Sequence, residues 1–307
     1  MRLIKEKLPK YHKIYEQLYE YPLISSLRIR KNTGIAYSTV CRYIQEMYEL
    51  SILKGPLIFL KPARNYHEYA HFLTFENPLL AYRGFRDLPR LSRSLASGGW
   101  NLLLISDGLI NFSILKGFKH CLLKGVKGVT HLSKVTSLDW DESMEKMCSI
   151  MHPPKKKSSL YREIPGISWE PKEWTMYDRL RRNVRTRKLY ILKQCQIRYM
   201  HYRSWILRLP QFSNIQAAFY PYGTENYLFL DFLFKSKYQK QLADILGLLP
   251  STSMFFSVGN YLFARLSVRD IFERRSLFSF IFELQEKGFF SHFYQASVIS
   301  TSELGLE

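Results

Sequence analysis

Apolar residues recur at helical spacing through the N-terminal stretch of the chain and at strand spacing after it. KYHKIYEQLYEY, from Lys10, puts its apolar residues on one helical face and stops at Pro22. SSLRIRKNTG, from Ser25, predicts a second helix with a serine N-cap, a basic middle and Gly34 at its end. TGIAYSTVCRYIQEMYE, from Thr33, predicts a third. ILKGPLIFLKP then reads as a two-stranded ribbon turning at Gly55 and Pro56. Three helices and a ribbon make the plan of a winged helix-turn-helix.

Beyond it, HEYAHFLTFENP predicts a strand, and LLAYRGFRDLPRLSRSLAS a helix interrupted near Pro89. WNLLLISDG and LINFSILKG predict a hairpin, FKHCLLKGVKG a short helix and VTHLSKVTSL a final strand. The order is β-α-β-β-α-β, the ferredoxin-like layout. From His152, HPPKKKSSLYREIPGISWEPKEW loses periodicity and is rich in Pro, Lys and Ser, as a linker is.

Past the linker the pattern starts again. SLRIRKNTGIAYSTVCRYIQEM, from Ser26, lies over KLYILKQCQIRYMHYRSWILRL, from Lys188, without gaps. Leu27 meets Leu189, Ile29 meets Ile191, Lys31 meets Lys193, Ile35 meets Ile197, Tyr37 meets Tyr199 and Ile44 meets Ile206. The apolar matches keep helical phase, so both segments are expected to bury the same faces. NIQAAFYPYG stands where the first ribbon stood; ENYLFLDFLF is a strand, KYQKQLADILGLLP a helix, SMFFSVGN with YLFARLSV a hairpin, FERRSLFSFIFELQEKG a helix and FFSHFYQASVIS a strand. Two copies of about 130 residues at a fixed offset mean a duplicated two-module unit.

The expected fold class is therefore α+β, a tandem repeat of a winged helix-turn-helix followed by a ferredoxin-like β-α-β-β-α-β domain. The expected boundaries are 1–64 and 65–140 for the first copy, a basic linker over 141–173, then 174–222 and 223–307 for the second.

Charge narrows the function. The 307 residues carry a formal net charge of +19, which implies a polyanionic partner, nucleic acid first. The four cysteines form no CxxC pair, so no zinc ribbon or redox motif is expected; they read as reduced thiols of a cytoplasmic protein. No apolar run approaches the roughly 18 residues of a membrane span. YLFLDFLF, from Tyr227, is short and carries Asp231, and reads as a buried strand.

This element order resembles the Lrp/AsnC transcription regulators of bacteria and archaea over nearly the whole chain, twice. The resemblance implies double-stranded DNA as partner, a RAM domain that dimerises, and a small-molecule effector such as an amino acid. The chain departs from that family in being a tandem. ISDG at Ile105 and SVGN at Ser257 are poor matches to the glycine-rich effector pattern. A tandem implies pairing of the two RAM-like domains within one chain, as a pseudo-dimer; exposed sheet edges leave room for a homodimer of whole chains. The same order also resembles the siroheme decarboxylases, enzymes that use this fold without regulating DNA, and fold alone does not choose between them.

In a helix-turn-helix the N-terminal part of the second motif helix faces the major groove. That places Tyr37, Ser38, Thr39 and Arg42 toward bases, with Val40, Ile44 and Met47 toward the core. Arg28, Arg30 and Lys31 suit phosphate contacts, and Lys54 and Lys61 flank the expected wing. In the second copy Arg198, Tyr199, His201, Tyr202 and Arg203 hold the groove-facing stretch, with Lys193 on the helix before. No acid occurs between Asp178 and Glu225, while eight arginines and lysines fall between Arg181 and Arg203. Like charges at helical spacing repel, so a one-sign run suits a phosphate backbone better than a solvated face. Lys155, Lys156 and Lys157 read either as an arm over DNA or as a solubilising linker.

Motifs for chemistry are few. There is no GxSxG, P-loop, HExxH or Rossmann glycine set. His67 and His71 share a predicted strand face about 13 Å apart, too far for one metal. On the decarboxylase reading, His131 and His292 in the last strands are candidate acids or ligands for a tetrapyrrole. The leading expectation is a DNA-binding regulator that is not an enzyme, with no cofactor and no metal.

Overall fold

The computed structural model describes residues 2–88 and 90–302. It opens with α1 (Arg2–Glu20), α2 (Ser26–Thr33) and α3 (Tyr37–Glu49). Tyr11, Ile14, Tyr15 and Leu18, one or two per turn, bury one face of α1. They meet Ile29 of α2 and Val40, Tyr43, Ile44 and Met47 of α3 in one cluster. Ser25 caps α2, its Oγ accepting the Arg28 N–H at 3.3 Å. Gly34 ends it at φ +72°, a left-handed turn that glycine enters without steric cost.

Next comes β1 (Leu53–Leu60), a single strand rather than a ribbon. Gly55 and Pro56 sit at a register shift inside it, not at a turn. β2 (Glu68–Phe75), α4 (Pro78–Gly84), β3 (Ser92–Gly98), β4 (Leu102–Ser106), β5 (Phe118–Lys127) and the two-residue β6 (His131–Leu132) complete the first half. Here the sequence expectation fails in four places. The helix predicted over LLAYRGFRDLPRLSRSLAS, interrupted near Pro89, ends at Gly84, and SRSLASG is strand β3. LINFSILKG is a loop with one 3-10 turn at Phe112–Ile114, so the hairpin is β3–β4. FKHCLLKGVKG is strand β5, paired with β2 from Glu68 to Phe75. The predicted last strand survives only as β6. The second helix of a full β-α-β-β-α-β unit is thus missing; Phe112 of the loop covers the sheet in its stead, edge-on to His71 at 4.9 Å.

The expected linker also holds structure. α5 (Trp140–Ile150) begins with a capping box: Asp139 accepts the Glu142 N–H and Glu142 accepts the Asp139 N–H, both at 3.0 Å. α6 (Pro171–Leu180), α7 (Lys188–Gln194) and α8 (Tyr199–Phe212) follow, then β7 (Ser213–Phe219). Pro210, which as a proline is expected to end its helix, lies inside the last turn of α8. β7 pairs antiparallel with β1, so the segments expected to form separate wings form one shared ribbon.

The second half runs β8 (Leu228–Lys235), α9 (Gln239–Leu246), β9 (Met254–Val258), β10 (Tyr261–Val268), α10 (Ile271–Glu286) and β11 (Phe293–Thr301), each element where the apolar pattern places it. α9 and α10 bury Leu242, Leu246, Leu277, Phe280, Ile281 and Leu284 against Leu230, Phe232 and Phe234 of β8.

The two halves close into one barrel of eight strands, ordered β10-β8-β11-β3-β4-β2-β5-β9 and sealed by β10–β9. One seam is β11–β3 and the other β5–β9, held at the single pair Lys127–Val258, so the halves pair within the chain as expected, while the β5 edge facing away from β2, from Phe118 to Val126, has no strand partner among the described residues. Phe72, Trp100, Leu103, Leu233, Phe256 and Phe263 fill the barrel. Backbones approach closely at the seams: a Cβ on Gly98 would lie 2.4 Å from the Gln295 carbonyl oxygen.

One ion pair sits inside the barrel. Arg265 and Asp231 face each other across β10 and β8, with Nε to Oδ1 2.7 Å and Nη2 to Oδ2 2.8 Å. Ser94 of the first half accepts from Nη2 at 3.1 Å and Thr301 from Nη1 at 3.3 Å. Both charged residues are 0–1% exposed. Removing one partner of such a pair strands a buried charge, so Asp231→Ala should cost about 3–5 kcal/mol of stability in urea unfolding, while Asp231→Leu with Arg265→Met should recover most of it.

His71 predicts the pH response. Buried under Phe112, its imidazole is pushed from 6.5 down to about 4, mainly by burial and further by Lys124. The unfolded chain therefore binds a proton between those values that the folded chain refuses. Stability should fall as pH drops from 6.5 toward 4, and urea midpoints measured across that range should fall less steeply in His71→Leu.

Candidate functional site

α3 and α8 both open on a tyrosine, Tyr37 and Tyr199, 162 residues apart. α2 and α7 keep the same spacing from Ser26 to Lys188. The faces turned inward correspond: Ile29 and Ile191 are both fully buried, and Tyr43 and Met47 match Trp205 and Leu209. The outward faces correspond too. Leu27 and Leu189, and Tyr37 and Tyr199, stand exposed at matched positions.

In the first module Arg28, Arg30 and Lys31 are exposed on α2, and Tyr37, Ser38 and Arg42 on α3, while Thr39 is half-buried. The Arg42 guanidinium lies 5.3 Å from the Tyr43 ring. In the second, Lys193, Arg198, Tyr199 and Arg203 are exposed, and the Lys188 ammonium sits 4.5 Å over the Tyr199 ring. His201 and Tyr202 are half-buried. His201 turns toward α6, its Nε2 3.8 Å from Glu173, which also holds Arg208 at 2.7 Å.

Three cations of the expected surface do other work. Lys54 is half-buried beside Ser51, 3.3 Å away, and burial lowers its pKa. Lys61 donates to the carbonyls of Pro210 and Gln211 at 2.8 and 3.3 Å, satisfying the C-terminus of α8. With no wing turn to flank, Lys61 supports the junction of the modules and Lys54 bonds within its own. Arg185, from the basic run, donates to the Ile24 and Pro22 carbonyls at 2.6 and 3.4 Å and ties one module to the other. Lys155, Lys156 and Lys157 are exposed on an extended segment.

The histidines are held singly. His67 meets Glu163 at 2.9 Å, His131 meets Asn214 at 3.3 Å, and His292 meets the Tyr261 hydroxyl at 3.3 Å. Among the described residues no three His, Cys, Asp or Glu side chains gather as metal ligands, and no helix is long and apolar enough to cross a membrane.

A cavity of about 470 Å³ opens between α1 and the second half of the barrel. Trp140, Phe219, Tyr222 and Pro250 supply its apolar wall, and His12 and Lys13 of α1 face it. His12 Nε2 is 2.9 Å from the Val135 carbonyl oxygen. Arg269 lies 4.6 Å over the Tyr222 ring and donates from Nε to Glu273 at 2.6 Å. None of these residues stands out in the sequence, because they come from five separate stretches of it. The Arg269–Glu273 spacing, four apart across the start of α10, was the one local signal.

The fold thus combines two three-helix modules on a shared ribbon with a barrel closed by two sheet halves. Among solved structures it is similar to the siroheme decarboxylase NirDL, with a TM-score of 0.50 and 12% identity over 95% of this chain and 91% of that one. The same enzyme in complex with an iron-uroporphyrin III analogue gives 0.44 and 12% over 94% and 90%. A scan against protein-family models finds no match, and none of the curated proteins matches. The α+β fold is therefore shared with an enzyme, and the expectation of a non-enzyme gains no support from it.

Proposed function

We propose that the chain binds double-stranded DNA through two unequal helix-turn-helix heads mounted on one barrel, as a transcription regulator does. One observation carries the reading. Seven exposed cations, Arg28, Arg30, Lys31, Arg42, Lys193, Arg198 and Arg203, occupy the outward faces of the matched helices, and none makes an ion pair among the described residues. Clustered like charges cost free energy unless a polyanion meets them. Arg42 and Arg198 with Arg203 are then groove or phosphate contacts, and Arg28, Arg30, Lys31 and Lys193 position the backbone. The heads differ where they would read bases, Ser38 against Met200 and Thr39 against His201, so the operator is asymmetric.

A second reading, a tetrapyrrole-binding enzyme, is favoured by the likeness to a siroheme decarboxylase over nearly the whole chain. The cavity fits that substrate poorly. A decarboxylase's substrate is a carboxylate, yet Glu16, Asp139 and Glu273 outnumber Lys13 and Arg269 around the wall. His12 already engages a carbonyl, and His131 and His292 lie outside this cavity. Titration with iron-uroporphyrin, followed by visible absorbance, checks the reading: a saturable Soret shift at one equivalent would favour it over DNA binding.

The DNA reading is checked by fluorescence anisotropy with a random-sequence duplex over a range of salt. Binding should weaken steeply as salt rises. Alanine at Arg198 and Arg203 together should lower the slope of log K against log salt by about 2, and alanine at Arg42 by about 1. The reverse ranking would remove the weight placed on the second head, and no binding at low salt would end the DNA reading.

A further inference from the structure

The duplication gives the 470 Å³ cavity a twin, and the two differ. At the same 162-residue spacing, Phe219, Pro221 and Ser267 beside the open cavity correspond to Leu57, Phe59 and Ile105; what room these border is a void of about 70 Å³ that reaches Tyr177 and Arg181 but neither Trp174 nor Asp178. His12 of α1 corresponds to Trp174 of α6, and Glu16 to Asp178. In the twin these positions are locked. The Trp174 ring lies 5.1 Å from Tyr66 and 5.0 Å from Trp169. Arg90 stacks on it at 4.9 Å and grips Asp178 at 3.0 Å and Asp107 at 3.6 Å. One copy has filled the space with its own side chains, while the other leaves it open at a volume typical of ligand pockets.

We propose that the cavity between α1 and the second barrel half is a binding site for a small flat aromatic molecule carrying at most one negative charge. The site is independent of DNA binding. Its wall of Trp140, Phe219, Tyr222 and Pro250 suits a ring. Its charges are mostly spent within the protein. Glu273 holds Arg269, Lys134 lies 3.9 Å from Glu16, and Asp139 caps α5. Lys13, exposed at the mouth, makes no ion pair among the described residues and is the cation left for a ligand's single acid group. A polyacid would meet the carboxylates of Glu16 and Asp139.

The probes are anilinonaphthalene sulfonate, an aromatic monoanion, and its neutral analogue N-phenyl-1-naphthylamine, followed by fluorescence with the full chain. The parent should bind one equivalent of each. His12→Trp copies the residue that closes the twin and should abolish both. If that variant melts well below the parent, Lys13→Trp, on an exposed turn at the mouth, replaces it. Lys13→Gln should weaken the sulfonate about tenfold and leave the neutral probe unchanged. Absence of saturable one-to-one binding, or undiminished binding to the folded tryptophan variant, would overturn the site. Equal weakening of both probes by Lys13→Gln would overturn its charge preference.

Discussion

The ion pair of Asp231 and Arg265 is the constraint around which the barrel is organised. Both side chains point into an interior otherwise lined by Phe72, Phe256, Phe263 and Leu233. A charge there is tolerable only when every polar atom finds a partner. Burial alone drives the Asp231 carboxyl up, and Arg265 pulls it back. The remaining guanidinium hydrogens go to Ser94 and Thr301, which also bond each other at 2.6 Å across the β3–β11 seam. The network therefore spans the two halves of the barrel. It can be satisfied in one register only, because a slip of one residue turns these side chains to the outer face.

Closing the barrel sets where the helical modules stand. β1 leaves the first module and β7 the second, and the two strands pair along their lengths. Arg185 reaches from one module to the carbonyls of the other, and Lys61 holds the end of α8. Two modules on a fixed ribbon present their exposed helices at one mutual geometry. A polyanion that meets both pays little ordering entropy beyond its own. The basic run that looked uniform in the sequence is thus divided. Arg185 and Arg208 serve the junction and Glu173, while Arg198 and Arg203 remain outside.

Legibility in the sequence followed the symmetry of burial. The second half was readable element by element, since α9 and α10 each bury a full apolar stripe over β8 and the pattern has one meaning. The first half misled because its second helix is gone. No helix covers β5, its exposed positions are polar at Lys119, His120 and Lys124, and FKHCLLKGVKG mimics a helix where backbone pairing with β2 decides. The wings misled for a related reason: Gly55–Pro56 carries turn chemistry, yet the partner of β1 lies far along the chain at β7, beyond any local signal. Asp231 was visible as an acid in an apolar strand. Its counterpart Arg265, in YLFARLSV, had the same mark, and only register joins them.

The cavity lay outside sequence reasoning altogether, and the comparison of copies explains why. The two halves match at a 162-residue spacing, and single positions make the spaces between helix and barrel unequal. His12 against Trp174 is such a position. An imidazole that bonds the Val135 carbonyl stays clear of the space, whereas an indole wedged between Tyr66 and Trp169 fills it. Arg90 completes the closure by stacking on that indole and binding two carboxylates. The closed side gains packing and loses room; the open side keeps room beneath α1, the helix that carries the core of the first module. A small molecule there would touch one three-helix module and not the other, an inequality set by His12 against Trp174.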